Sequence, residues 1–412
     1  MGAERSLDDD FVAILRDRAI FPVFQPIIAI ADRSVVGFEA LARGPKGPYE
    51  SAPALFEAAA RLGRSADLDW LCAGVAGERF LAHDMRDVAL FVNLDPFTLR
   101  GPFRERLLEV FAELMRERQV VLEITERAVT QDPPALMEAV VQARRLSARV
   151  ALDDVGVEPS SLAAMPLVNP DIIKIDKSVV QAHSPTWAVS HVVNAVLHEA
   201  RRSGAQILAE GIENEEHLAV AVSLGATLAQ GHHFGRPGGL PATVVPSSFE
   251  LARVTPRQVP RETPFEILSR TEPVNPTTAA LLASMGAHIE NQAMHTSDSA
   301  ILVVNLGDAG NLDDDARLRY SYVTMRGIEV YVLGYGMPVD LAARVRGVPL
   351  AADDPLVRER TVMFIGSHQA SCLFARENGG DFEVGVCYDR ERIVAATLPL
   401  VSRLAESGPG PA

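Results

Sequence analysis

Short apolar runs punctuate the first 240 residues, and each closes on a side chain that can do chemistry. VVGFEALAR carries Glu39, VALFVNLDP carries Asn93, VVLEITE carries Glu123, and RVALDD ends in Asp153 and Asp154. DIIKID carries Lys174, QILAEG carries Glu210 and ATLAQG carries Gln230, while a further run, IFPVFQPI, precedes them all. Between the markers lie stretches such as GPFRERLLEVFAELMRERQ, PPALMEAVVQARRLS and TWAVSHVVNAVLHEARRSG, whose apolar positions recur every three or four residues, as on one face of a helix. Run, functional residue, helix, repeated, predicts an α/β barrel of parallel strands. In such a barrel the active groups stand at the carboxyl ends of several strands.

The pattern changes after RPGGLPATVVP. The proline-rich stretch VTPRQVPRETP has no apolar period and reads as a linker. Residues 1–250 are thus the barrel, 251–263 the linker and 264–405 a smaller α+β domain. In that domain the helix NPTTAALLASMGAHIENQAMH precedes the strand candidates AILVVNLG, IEVYVLGYG, TVMFIGS, ASCLFARE and FEVGVCYD, and the helix IVAATLPLVSRLAE closes the chain. The sheet is expected to be mostly antiparallel.

Composition narrows the function. At 412 residues, 48% hydrophobic, the chain has material for two cores. Its net charge of −15 argues against nucleic-acid polymers and anionic membrane surfaces. The N-terminal MGAERSLDDDF has no signal-peptide pattern, and no run of apolar residues is long enough to span a bilayer. Three scattered cysteines (Cys72, Cys372, Cys387) suit a reducing compartment, so a cytoplasmic location is expected.

Five carboxylates at one barrel mouth (Glu39, Glu123, Asp153, Asp154, Glu210) repel one another too strongly to stay ionised together. Either protons are retained or cations fill the space, and oxygen donors without His or Cys suit Mg²⁺ or Mn²⁺. The adjacent Asp153 and Asp154 can serve two ions, which would admit an anionic phosphodiester and activate a water. Lys174 is placed to hold that water or offset charge, and Arg43 to grip a phosphate.

With these residues in view, the chain resembles the EAL-domain family of cyclic di-GMP phosphodiesterases over residues 10–240. The resemblance rests on FQPI, Glu39-Ala40-Leu41 with Arg43, FVNLDP, LEITE, LDDVG, IKID, AEGIE and QGHHFGRP. It implies a modified (β/α)₈, TIM-like barrel, often dimeric, that hydrolyses cyclic di-GMP to linear pGpG with two Mg²⁺ or Mn²⁺ ions. By resemblance Glu39, Asn93, Glu123 and Asp153 are metal ligands, Asp154 serves the second ion, and Lys174 contacts the attacking water. Glu210 and Gln230 support metal, water and substrate. Gln25, Leu41, Arg43, Asp176 and Pro237 correspond to substrate-contacting positions, Glu126 anchors the loop after Asp154, and Glu213 lies in the AEGIE motif.

One segment departs from the family. Where DDFG and Thr-Gly-Tyr-Ser-Ser are usual, this chain reads DDVGVEPSSL, with Val155 for Phe and Val157-Glu158-Pro159 for Thr-Gly-Tyr. Hydrolysis is the expected activity, and a silent cyclic di-GMP receptor is the alternative that the altered loop favours. From about residue 264 the chain resembles the DICT domain, a sensory module. Cys372 and Cys387 are read as buried small hydrophobes or a redox pair, Asp313-Asp314-Asp315 as a solvated turn, and His232-His233 as lining of the barrel mouth.

Overall fold

The computed structural model describes residues 7–96, 98, 104–125, 133–157, 162–163, 165–182, 186–245, 247–296, 300–342 and 344–406. Glu126 and the altered positions Glu158 and Pro159 lie outside them. Two compact units are formed.

The first unit is a closed eight-stranded barrel. Its strands are β1 (Val23–Ala29), β2 (Val35–Leu41), β3 (Ala89–Asn93), β4 (Gln119–Thr125), β5 (Arg149–Val155), β6 (Ile172–Ile175), β7 (Gln206–Ala209) and β8 (Leu228–Gln230). From β2 to β8 neighbours are parallel, as the sequence predicts. Strand β1 instead runs antiparallel to both β2 and β8, a departure from the all-parallel barrel that the sequence pattern predicts. Only five residues separate β1 from β2, too few for the crossover a parallel pair requires.

Helices α1 (Leu7–Arg16), α2 (Ala52–Arg61), α3 (Ser65–Leu81), α4 (Arg104–Glu117), α5 (Pro133–Arg145), α6 (Met165–Val168), α7 (Lys177–Val180), α8 (Trp187–Ser203) and α9 (Glu215–Ser223) lie between or before these strands in sequence, with α6 and the start of α5 grouped in the second unit. Helices α2 and α3 are parted at Gly63, whose φ of 64° an L side chain rarely adopts. Thr186 and Asn214 cap α8 and α9 with their side chains, and Gly204 ends α8 in the left-handed region.

Strand alternation sets the site. Phe91, Val121, Ala151, Ile172, Leu208 and Leu228 form an apolar plug inside the barrel. Each lies two residues before a marker, so Asn93, Glu123, Asp153, Lys174, Glu210 and Gln230 point inward one layer higher. Gly37, two residues before Glu39, makes room for this plug: a Cβ there would meet Phe91 Cε2 at 2.6 Å.

The barrel also takes in residues read as linker. Leu251 is buried against the plug and Val254 is buried as well. Arg149 donates to the carbonyls of Leu251 and Ala252, and Val254 N–H donates to Asp171. The segment 251–254 therefore belongs to the first unit, because its backbone supplies partners to strand ends that water would otherwise solvate.

The second unit contains α10 (Pro264–Leu268), β9 (Asn275–Thr277), α11 (Ala279–His295), β10 (Ala300–Asp308), α12 (Asp314–Met325), β11 (Glu329–Tyr335), β12 (Asp340–Ala342), β13 (Val345–Leu350), β14 (Glu359–Gly366), β15 (Ala370–Asn378), β16 (Asp381–Cys387) and α13 (Arg390–Glu406). The sheet order is β12-β13-β11-β10-β14-β15-β16-β9, with parallel pairing only at β10/β11 and β11/β13. The strands β9, β12 and β13 had no sequence signal. They are short or proline-bearing segments, β9 and β12 at the two edges of the sheet and β13 next to β12, and the first three residues of the predicted NPTTAALLASMGAHIENQAMH helix form β9 instead. Asp313 caps α12 by accepting from Ala316 N–H, so its acidic cluster starts a helix. No helix among the described residues is long and apolar enough to cross a membrane.

Candidate active site at the carboxyl ends of the barrel strands

Lys174 is the centre of the constellation. Its ammonium lies 2.7 Å from Glu123, 2.8 Å from Asp153, 2.9 Å from Glu210 and 3.7 Å from Glu39. Lys174 and Glu123 are fully buried. Burial alone would lower the Lys174 pKa, but the four surrounding carboxylates hold it well above the ordinary value.

The carboxylates respond in the opposite sense. Burial, together with repulsion from Glu39 and Asp153, pushes Glu123 well up despite the neighbouring ammonium. Burial likewise raises Glu210 to about 8 and Asp154 to about 6. One cation does not neutralise this many acids, and retained protons make up the difference.

Amides complete the floor. Asn93 Nδ2 donates to both Glu39 and Glu123 at 3.2 Å, and Gln230 Nε2 donates to Glu39 at 2.6 Å and to Gln25 at 3.3 Å. Gln25 in turn donates to the Gly235 carbonyl.

Two groups of oxygens are spaced to hold an ion: Glu39, Glu123 and Asp153 form one, and Asp153, Asp154 and Glu210 the other. Asp153 belongs to both. Buried Glu123 Oε1, Lys174 Nζ and Gln230 Oε1 have no well-directed hydrogen bond, although the first two lie close in charge contact. An all-oxygen donor set with buried, unsatisfied acceptors fits hard divalent cations.

Backbone geometry aims the second group. Asp154 has φ 58° and turns out of the strand, while its N–H donates to Asp153 Oδ1 at 2.9 Å. Gly156 follows at φ 112°, where a Cβ would meet Val179 at 2.7 Å. Val155, the substituted position, is fully buried.

The other sequence-predicted residues divide. Arg43 lines a cavity of about 530 Å³ beside the mouth with Phe21, Val23, Lys46 and Glu50. Leu41 ends β2 opposite Val23, and half-buried Pro237 precedes Gly238, whose backbone pairs with Phe24. Asp176 caps α7 by accepting from Ser178 N–H at 2.8 Å, so one of its oxygens is structural. Glu213 is exposed, and only its backbone N–H is engaged, by His217. His233 turns to Glu215 at 3.1 Å, away from a lining role.

One functional residue escaped the sequence. Asp69 on α3 is buried and accepts from Asp95 N–H at 2.9 Å and Thr98 Oγ1 at 2.6 Å, holding the segment that follows Asn93. Burial raises its pKa to about 7. Among the acids of α3, which also carries Asp67 and Glu78, no sequence signal set it apart.

A family model described as the EAL domain matches residues 6–237, and one described as a sensory domain in diguanylate cyclases and two-component systems matches residues 266–378. The EAL-domain protein YkuI of Bacillus subtilis is 29% identical over 224 residues, covering 53% of this chain and 55% of that protein. Cyclic di-GMP phosphodiesterase RocR of Pseudomonas aeruginosa is 29% identical over 224 residues, covering 52% of this chain and 56% of its own length. The chain thus spans little more than half of either relative. Among solved structures, the FimX EAL domain of Pseudomonas aeruginosa bound to c-di-GMP superposes with a TM-score of 0.50 at 20% identity, over 59% of this chain and all of that one.

Proposed function

The chain belongs to the EAL-domain family, and from that premise we propose that it hydrolyses cyclic di-GMP to linear pGpG with two Mg²⁺ or Mn²⁺ ions. The observation that carries this reading is the pair of oxygen clusters sharing Asp153, with Lys174 touching both. Glu39, Asn93, Glu123 and Asp153 would hold one ion, and Asp153, Asp154 and Glu210 the other. Asn93 presents its amide nitrogen to the carboxylates here, and rotation of the amide would offer its oxygen to a cation instead. Bound cations would supply the charge that polarises a phosphodiester and makes water acidic.

The chain's own groups do the rest. Lys174 is a buried donor beside Asp153 and Glu210, placed to orient a water and to offset charge on phosphorus. Glu210, whose pKa burial raises to about 8, carries a proton near neutrality that it would give up on holding the second ion. Arg43 and Lys46 offer cations for the substrate's phosphate, with Gln25, Leu41, Asp176, Gln230 and Pro237 as the remaining contacts. Residues 7–254 form the catalytic part, residues 264–405 the regulatory one, and the barrel is proposed to act as a homodimer. Three unpaired cysteines accord with a cytoplasmic setting.

A second reading, a receptor that binds cyclic di-GMP without cleaving it, draws on Val155 and the changed positions after it. Product chromatography of wild type and Glu39→Ala with Mg²⁺ or Mn²⁺ separates the two. Turnover abolished by the substitution establishes the enzyme, and saturable binding without pGpG establishes the receptor.

A further inference from the structure

The second unit has a cavity of about 200 Å³, open at one side, between α11, α12 and the sheet, remote in sequence from every barrel residue used above. Its walls are kept back by small side chains: α11 contributes Ala279, Ala283, Gly286 and Ala287. A Cβ on Gly286 would already stand 3.4 Å from Val362 Cγ2. Leu282, Val362, Leu373 and Phe382 give it an apolar lining.

Its polar groups are unusually ordered. Buried Glu290 on α11 accepts from Tyr320 Oη at 2.7 Å and from Arg319 Nε at 2.8 Å, so both of its oxygens are engaged by α12. The remaining nitrogens of Arg319 carry no hydrogen bond among the described residues. Arg360 lies 5.7 Å over the Phe382 ring, and its Nη1 donates to the carbonyls of Val357 and Glu359. Among the described residues no carboxylate comes within ion-pair distance of Arg360, and Asp308 and Glu377 act on it only from farther away. Asp313, also on the lining, spends one oxygen on capping α12 and, with Glu290, offsets the charge of Arg319. Arg360 is therefore the cation of this lining without a neighbouring acid among the described residues, and it stands beside an apolar wall.

We propose that this cavity binds a small organic acid, a monocarboxylate with a compact apolar body. Arg360 and the free nitrogens of Arg319 would meet the carboxylate, and Leu282, Leu373 and Phe382 would face the body. Size supports it: benzene fills a cavity of roughly 150 Å³, so a benzoate-sized acid is matched here. Chemistry supports it too, since guanidinium groups form forked, charge-assisted bonds to carboxylates. The inference is independent of what the barrel does.

The test titrates the full chain with benzoate, hexanoate and uncharged benzamide, reading heat and the thermal unfolding midpoint. Two variants accompany it, each checked for folding by circular dichroism. Ala283→Trp places a plug at an exposed helical position on the cavity's mouth, and Arg360→Gln removes the unneutralised cation. The expected result is one-site saturation by at least one acid, lost in Ala283→Trp and weakened about tenfold in Arg360→Gln and for benzamide. The proposal is overturned if neither acid saturates by about 10 mM. It is equally overturned if Ala283→Trp binds as well as wild type, or if benzamide matches benzoate.

Discussion

Lys174 Nζ lies 2.7 Å from Glu123 Oε1, and both side chains are wholly buried. An ammonium thus occupies the centre of the acidic cluster, touching carboxylates of both oxygen groups. It keeps the carboxylates together before any cation arrives.

Lys174→Met should consequently destabilise the metal-free protein by about 3 kcal/mol, because it leaves buried acids uncompensated. Mn²⁺ should restore more of the unfolding midpoint in the variant than in wild type. Thermal unfolding with and without Mn²⁺ measures this, and equal metal-induced shifts in both proteins would contradict it.

Metal uptake should release protons. Folded Asp154 and Glu210 have pKa values raised from 3.8 to about 6 and from 4.5 to about 8, so Glu210 holds a proton near neutrality and Asp154 gains one towards pH 6, and a cation must displace them. Affinity for Mn²⁺ should therefore fall as pH drops from about 8 towards 6. Calorimetry in two buffers of different ionisation enthalpy reads the proton count directly, and identical heats in both would refute the idea.

Asp69 should make stability fall with rising pH. Its folded pKa of about 7 stands above the unfolded 3.8, so its contribution is fully present below the unfolded value and is lost as pH rises through about 7. Asp69→Asn keeps an acceptor for Asp95 N–H and Thr98 and should flatten that slope by a few kcal/mol across the interval. Urea denaturation at pH 5 and pH 8 supplies the comparison, and parallel slopes would count against the assignment.

Gly156→Ala should cost about 1–3 kcal/mol, since the residue combines a left-handed φ of 112° with a Cβ position 2.7 Å from Val179. The turn that aims Asp154 should loosen with it, so Mn²⁺ affinity should fall while the secondary structure survives. An unchanged denaturation midpoint would show that the turn relaxes freely.

The barrel was legible because one rule repeats. In RVALDD, Ala151 enters the plug and Asp153 stands one layer above it, and the same two-residue step places Glu123 over Val121 and Lys174 over Ile172. Period-two alternation is a local property, so the chain declares which residues share a mouth. Which atoms meet there is not local. That Lys174 contacts four carboxylates from four other strands, and that Asp153 joins two oxygen clusters, depends on barrel closure.

Elsewhere packing decided. The direction of β1 follows from a short turn and from pairing with β8, and IFPVFQPI reads the same in either sense. Strand β13 exists because β11 offers it hydrogen bonds, and edge strand β12 because β13 does, whatever their own weak propensity. Asp69 looked like any exposed helical acid until α3 pressed it against the segment after Asn93. Hydrophobic period and residue type are written in the chain, and they determined the barrel, its mouth and the side chains gathered there. Burial, pKa and the partners of each charge are properties of surroundings assembled from distant segments, and only the tertiary structure decided them.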